Sequence, residues 1–154
     1  MKKLKTLTIV RHGDYSGENL NSYGMQQMEN IAKEIKEKIG KVPVIILTSA
    51  APRAKQSADV IGKVFDLDVA HVSESFWSDN RHYQDDNKFL EELENNIGEA
   101  EHAIVVSHLE YVEYIPAKIT RSKNFPKPAA VFERSKGTGV HMNMTEKIVE
   151  EIRG

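Results

Sequence analysis

Cysteine is missing altogether, which excludes disulfides, thiolate metal ligands and cysteine nucleophiles and suits a reducing compartment. Neither sign of charge dominates: 21 Lys and Arg stand against 23 Asp and Glu, for a formal charge of −2. Nucleic acid is therefore not an expected partner, because phosphate-backbone binding needs a basic surplus. Long hydrophobic runs are missing too. Nothing approaches the roughly 18 apolar residues of a membrane span, and Leu7–Val10 after the basic start Met1–Lys5 is too short for the apolar core of a signal peptide. No membrane partner is expected, and the expected location is the cytoplasm. There is no internal repeat, low-complexity tract or linker. What is present is 154 residues, 40% apolar and 29% charged. That is the size of one domain, taken as residues 1–154, and such a chain buries roughly 70% of its unfolded surface.

Four short runs rich in Val and Ile, Leu7–Val10, Val44–Leu47, Val69–Val72 and Ala103–Val106, read as strands. The first, second and fourth are nearly continuous rather than alternating, as in a parallel sheet buried on both faces. Between them lie stripes at steps of three and four. Met25, Met28, Ile31, Ala32, Ile35 and Ile39 form one, with Gly40 as its stop; Ala54, Ala58, Ile61 and Val64 form a second; Phe89, Leu93 and Ile97 a third; and Leu109, Val112 and Ile115 a fourth that should end at Pro116. Strand and helix alternate, which predicts an α/β three-layer sandwich with a mainly parallel central sheet and helices on both faces. In the tail, Ala130–Glu133 and Val140–Met144 read as an antiparallel edge pair across the turn Ser135–Gly139, followed by a short helix over Thr145–Ile152. The stretch Ser73–Lys88 lacks periodicity and reads as a surface excursion.

In open parallel sheets ligands bind beyond the carboxyl ends of the strands. The first strand runs into Arg11-His12-Gly13. The second ends in Thr48-Ser49, with Arg53 in the first turn of the next helix, and the fourth ends in Ser107-His108. Two imidazoles and two guanidiniums thus share one rim. Guanidiniums fork onto oxyanion pairs, a neutral imidazole is a competent nucleophile toward phosphorus, and a second imidazole, protonated, donates to the same oxygens. Gly13 would let backbone approach those oxygens, and helix starts near 53 and 109 add partial positive charge. The set suits phosphoryl transfer, in which catalysis is mainly positioning and charge stabilisation.

The residues Leu7–Gly13 (LTIVRHG) resemble the Arg-His-Gly signature of the histidine phosphatase superfamily, the phosphoglycerate-mutase-like fold. Leu20–Ala32, Leu47–Ile61 and Val105–Ile115 are similar to that family's next three segments, in order. The resemblance implies that His12 attacks phosphorus to give a phosphohistidine that water hydrolyses. It further implies that Arg11, Arg53 and His108 hold the phosphoryl oxygens, and that neither metal nor other cofactor is needed. A carboxylate after the third strand would protonate the leaving group; Glu74 stands there, with Asp14 and Asp79 as alternatives. The short segment between the third and fourth strands and the run Ser107–Tyr114 look most like SixA-type phosphohistidine phosphatases, although the loop Asp14–Asn19 is shorter than in that branch. The implied partner is a phosphorylated small molecule or phosphoprotein. The alternatives are a non-catalytic phosphate- or phosphoprotein-binding member and, less favoured for want of the longer insertions, a phosphoglycerate mutase.

Other features read more simply. His71, His82, His102 and His141 lie at no metal-ligand spacing and are expected on the surface or partly buried. Lys118, Arg121, Lys123 and Lys127 form a solvated basic stretch that could steer an acidic phosphoprotein. Asp85 to Glu101 carries an acidic run on the wet side of a helix, and Trp77 with Phe76 reads as a satellite core in preference to a pocket rim.

Overall fold

A computed structural model describes residues 3–77, 84–131 and 133–154. In chain order it has β1 (Thr6–Arg11), β2 (Tyr15–Ser16), β3 (Asn19–Leu20), α1 (Ser22–Ile39), β4 (Val44–Thr48), α2 (Pro52–Phe65), β5 (His71–Val72), a 3₁₀ turn (Glu74–Phe76), α3 (Asp86–Asn96), β6 (His102–Ser107), α4 (Leu109–Ser122), β7 (Thr138–Asn143) and β8 (Ile148–Arg153). Six strands form one sheet in the order β5-β4-β6-β1-β7-β8. The first four are parallel, whereas β7 and β8 run antiparallel at the edge. β2 and β3 make a separate small hairpin after Gly13.

The buried strands need cover on both faces, and the helix stripes supply it. Leu7, Ile9, Leu47 and Val105 pack against Phe89 and Leu93 of α3 and Val112 and Ile115 of α4. On the other face Val10, Ile46, Ile104 and Val106 meet Met28, Ile31 and Ile35 of α1 and Ala54, Ala58 and Ile61 of α2. Local chemistry sets the ends. The Asn21 side chain accepts from the Gly24 N–H at 2.8 Å and starts α1, Pro52 opens α2, and Gly40 at φ 66° closes α1. No helix among the described residues is long and apolar enough to cross a membrane.

Four expectations are corrected. α4 continues through Pro116 to Ser122. Proline lacks the N–H that would reach the Val112 carbonyl, but Arg134 Nη1 donates to that carbonyl at 3.2 Å, and Thr120 Oγ1 donates to the Pro116 carbonyl at 2.7 Å. The third strand shrinks from Val69–Val72 to His71–Val72. Ala130, Val131 and Glu133 are not in a strand; the edge pair begins at Thr138. The segment read as a helix over Thr145–Ile152 is instead a turn leading into β8. Asn143 Oδ1 accepts the N–H groups of Thr145 and Glu146, Lys147 takes φ 58°, and pairing with β7 then satisfies the backbone that an isolated surface helix would leave to water.

Candidate active site

The register of the parallel strands builds the rim. Arg11 lies opposite Ser107, and Thr48 opposite Val106, so three neighbouring strands stop at one level. The His12 N–H then donates to the Ser107 carbonyl at 3.2 Å and the Ser49 N–H to the Val106 carbonyl at 3.1 Å. Gly13 packs backbone against backbone on α1: a Cβ there would lie 2.6 Å from the Gly24 carbonyl oxygen. A close approach to a helix therefore requires glycine at this position.

His12 is 3% exposed, and its Nδ1 lies 2.9 Å from the Gly13 carbonyl oxygen. A carbonyl only accepts, so Nδ1 carries the hydrogen and Nε2 keeps a lone pair. Arg53 Nε donates to that Nε2 at 3.3 Å. Burial pushes the imidazole down to about 4; the Gly13 bond opposes this, and the charges of Arg53, Arg11 and Lys136 add to it. His108, the residue before α4, stands with its ring centroid 4.9 Å from that of His12 and its Nε2 2.9 Å from Ser49 Oγ. Burial first, then His12, Arg53 and Arg11, lowers it to about 2. The protonated second imidazole expected from the sequence is thus disfavoured here: two guanidiniums and a second ring already crowd it, and it offers at most one N–H.

Arg53 projects from the first turn of α2 between two aromatic faces, its Cζ 4.9 Å from the Tyr15 ring and 5.2 Å from the Trp77 ring. Ser57 Oγ donates to the Arg53 carbonyl at 2.7 Å and accepts from the Gly13 N–H at 3.1 Å, tying the two segments together. Arg11 Nη1 donates to the Arg134 carbonyl at 2.6 Å, while its buried Nε has no hydrogen-bond partner among the described residues. A buried unpaired donor costs free energy unless an acceptor arrives.

The three candidate acids part company. Glu74 is exposed at the start of the 3₁₀ turn, and its carboxylate makes no hydrogen bond or ion pair among the described residues. Asp14 accepts from Asn21 Nδ2 at 2.8 Å and lies 3.4 Å from Lys136 Nζ; the Asn21 bond and then the lysine hold it below the usual carboxylate range, so it is a poor proton donor. Asp79 lies outside the described residues, as does His82.

Tyr15 and Lys136 were not legible as pocket groups, and Trp77 only through the pocket-rim reading set second to a satellite core. Trp77 stacks on His108 at 3.9 Å and 21°, so it walls the pocket while also touching both core clusters. Tyr15 meets His12 edge-on at 5.2 Å. Lys136, in the turn before β7, sits 4.7 Å from the Tyr15 ring. None of these shows a periodicity, and only the scarcity of tryptophan could have drawn attention to one of them. His102 and His141, expected on the surface or partly buried, are buried. His102 lies 2.6 Å from Thr6 Oγ1 and His141 2.8 Å from Thr8 Oγ1, hydroxyls that satisfy the rings. His71 is half-buried and pairs with Glu92 at 2.6 Å. The lysines and arginine at 118, 121, 123 and 127 are exposed. Among the described residues no three His, Cys, Asp or Glu side chains are grouped to hold a metal ion.

The buried rings make stability depend on pH. His12, His102 and His108 are lowered to about 4, 3 and 2, chiefly by burial, whereas the unfolded chain titrates them near 6.5. Their contribution is complete above pH 6.5 and is lost as the pH falls, because only the unfolded chain takes up the protons. The protein should lose on the order of several kcal/mol between pH 7.5 and 5. Urea midpoints at the two pH values measure this, and equal midpoints would show that the rings are not held neutral.

No protein-family model matches the sequence, and no curated protein matches it. The likeness is to solved structures, among them phosphatases of the histidine phosphatase superfamily, and what it shows is their fold. The protein histidine phosphatase SixA complexed with tungstate superposes with a TM-score of 0.66 at 16% identity, over 97% of this chain and 94% of that one. The alpha-ribazole phosphatase from Shigella flexneri gives 0.60 at 17% identity over 94% and 93%. A mycobacterial glucosyl-3-phosphoglycerate phosphatase in complex with VO3 gives 0.62 at 15% identity over 97% of each.

Proposed function

We propose that the protein is a metal-independent phosphatase that hydrolyses a phosphomonoester or phosphoramidate, protein phosphohistidine among the substrates considered, through a phosphohistidine on His12. The observation that carries this is the orientation of His12: Nδ1–H bound to the Gly13 carbonyl, and the Nε2 lone pair turned to Arg53. In the first step Nε2 attacks phosphorus, forming a P–N bond as the bond to the leaving group breaks with its electron pair. Arg53, Arg11 and the His108 N–H stabilise charge on the phosphoryl oxygens. In the second step water attacks phosphorus, the P–N bond breaks, and phosphate leaves with His12 regenerated. Side-chain cations supply the charge a metal would bring. The phosphatase names of the similar structures, two of them holding tungstate or VO3, support this reading.

The wild type should hydrolyse an aryl phosphate, with vanadate competing and a chelator leaving the rate unchanged. Binding of phosphate without turnover of aryl phosphate, sugar phosphates, nucleotides or a phosphohistidine protein would favour a non-catalytic binder instead.

We assign leaving-group protonation to Glu74. A positioned general acid contributes roughly 10²-fold or more when the leaving group is basic. Glu74→Gln should therefore cost an alkyl phosphate about 10²-fold in kcat and an aryl phosphate under about threefold. Equal losses on both would move the acid elsewhere, with Asp79 the next candidate.

A further inference from the structure

Lys136 comes from a stretch of chain outside the four motif segments, yet its backbone is fastened to them. The Gly137 N–H donates to the His12 carbonyl at 3.0 Å and Arg11 Nη1 to the Arg134 carbonyl at 2.6 Å. Gln27 bridges the two sides: its Nε2 donates to the Lys136 carbonyl at 3.3 Å, and its Oε1 accepts the Asp14 N–H at 2.8 Å. The approach depends on Gly137, at φ +73°, where a Cβ would lie 2.5 Å from the Gln27 amide carbon.

The lysine side chain is held far less firmly. Its Nζ is 3.4 Å from Asp14 Oδ1, with the two side chains 37% and 35% exposed, a pair that water screens and that contributes little. Asp14 also has a second partner, Asn21 Nδ2 at 2.8 Å, and would not be stranded if the ammonium left. Lys136 Nζ lies over the same Tyr15 ring that Arg53 covers and that His12 meets edge-on. A flexible four-carbon stem lets a point charge turn from one oxygen to another, and a phosphoryl dianion attracts it more strongly than a carboxylate already hydrogen-bonded to Asn21.

We propose that Lys136 is a substrate-binding residue whose ammonium leaves Asp14 for an oxygen of the incoming phosphoryl group, with Asp14 competing for it. This rests on the phosphate-site reading above. It adds a third cation, and it makes Asp14 a brake on affinity in place of the proton donor considered from the sequence.

The test is binding of inorganic phosphate at low ionic strength, read by the fluorescence of Trp77, the chain's single tryptophan, which stacks on His108, and checked by calorimetry. Loss of one charge-assisted contact should raise Kd about tenfold in Lys136→Met, while Lys136→Arg should keep most of the affinity. Asp14→Asn should lower Kd about threefold, and that gain should vanish in Asp14→Asn/Lys136→Met. An unchanged Kd in Lys136→Met, with melting temperature preserved, overturns the assignment while the pocket reading stands. So does an Asp14→Asn effect that is the same with and without the lysine. No phosphate binding by the wild type at millimolar concentration would overturn the pocket reading and this assignment together.

Discussion

His12→Ala should remove turnover of an aryl phosphate, with a loss of about 10⁴-fold or more, as when a covalent nucleophile is deleted elsewhere. The expectation follows from the Nε2 lone pair of His12: among the described residues it accepts only the long 3.3 Å bond from Arg53, and Nδ1 is committed to the Gly13 carbonyl. The truncated variant should stay folded, since the ring's neighbours at the rim, Tyr15 and His108, are held by their own elements. His12→Ala would also relieve a buried group that resists protonation. Labelled phosphate should be trapped on wild-type His12 after an acid-free quench, because a phosphoramidate does not survive acid. Turnover persisting in the variant would end the covalent mechanism, whatever the substrate proves to be.

Arg53→Ala should cost about 10²–10³ in kcat/KM, the range found when one preorganised oxyanion donor is lost. Arg53→Lys should recover little of this. The guanidinium is clamped between the Tyr15 and Trp77 faces and donates through Nε to His12, and an ammonium can neither stack in that slot nor present two parallel N–H groups. The loss should also be smaller in phosphate affinity than in rate if the fork matters most as charge builds on the equatorial oxygens. A loss below about threefold would mean that Arg53 does not touch the phosphoryl group.

The parts legible from sequence were those with a short-range physical signature. The strands at 7–10, 44–47 and 103–106 announced themselves through uninterrupted Val and Ile, because both faces of the sheet are covered. The stripes of α1 and α2 did so through steps of three and four. Errors fell where a distant partner overrode the local signal. Pro116 should have stopped α4, but Arg134 reaches the carbonyl that the proline leaves without a donor. The segment after Met144 looked helical by itself and became β8 because β7 offered an edge to pair with. His102 and His141 read as surface or partly buried because nothing in their neighbourhood along the chain reveals that Thr6 and Thr8 await them.

By itself, the order of the residues determined that an arginine and then a histidine stand at the end of β1, a second arginine lies in the first turn of α2 and a second histidine precedes α4, since each is in or next to a strand or helix whose pattern is local. Only the tertiary structure decided how they meet. Parallel register set Arg11 level with Ser107 and so brought His12 to His108. Backbone contact between Gly13 and Gly24, and the packing of the Gln27 side-chain amide on Gly137, drew in Asp14 and Lys136 from more than a hundred residues apart. Charges and rings so separated carry no mutual signal along the chain, because their interaction energy depends on distance through space, and that distance exists only once the sheet has closed.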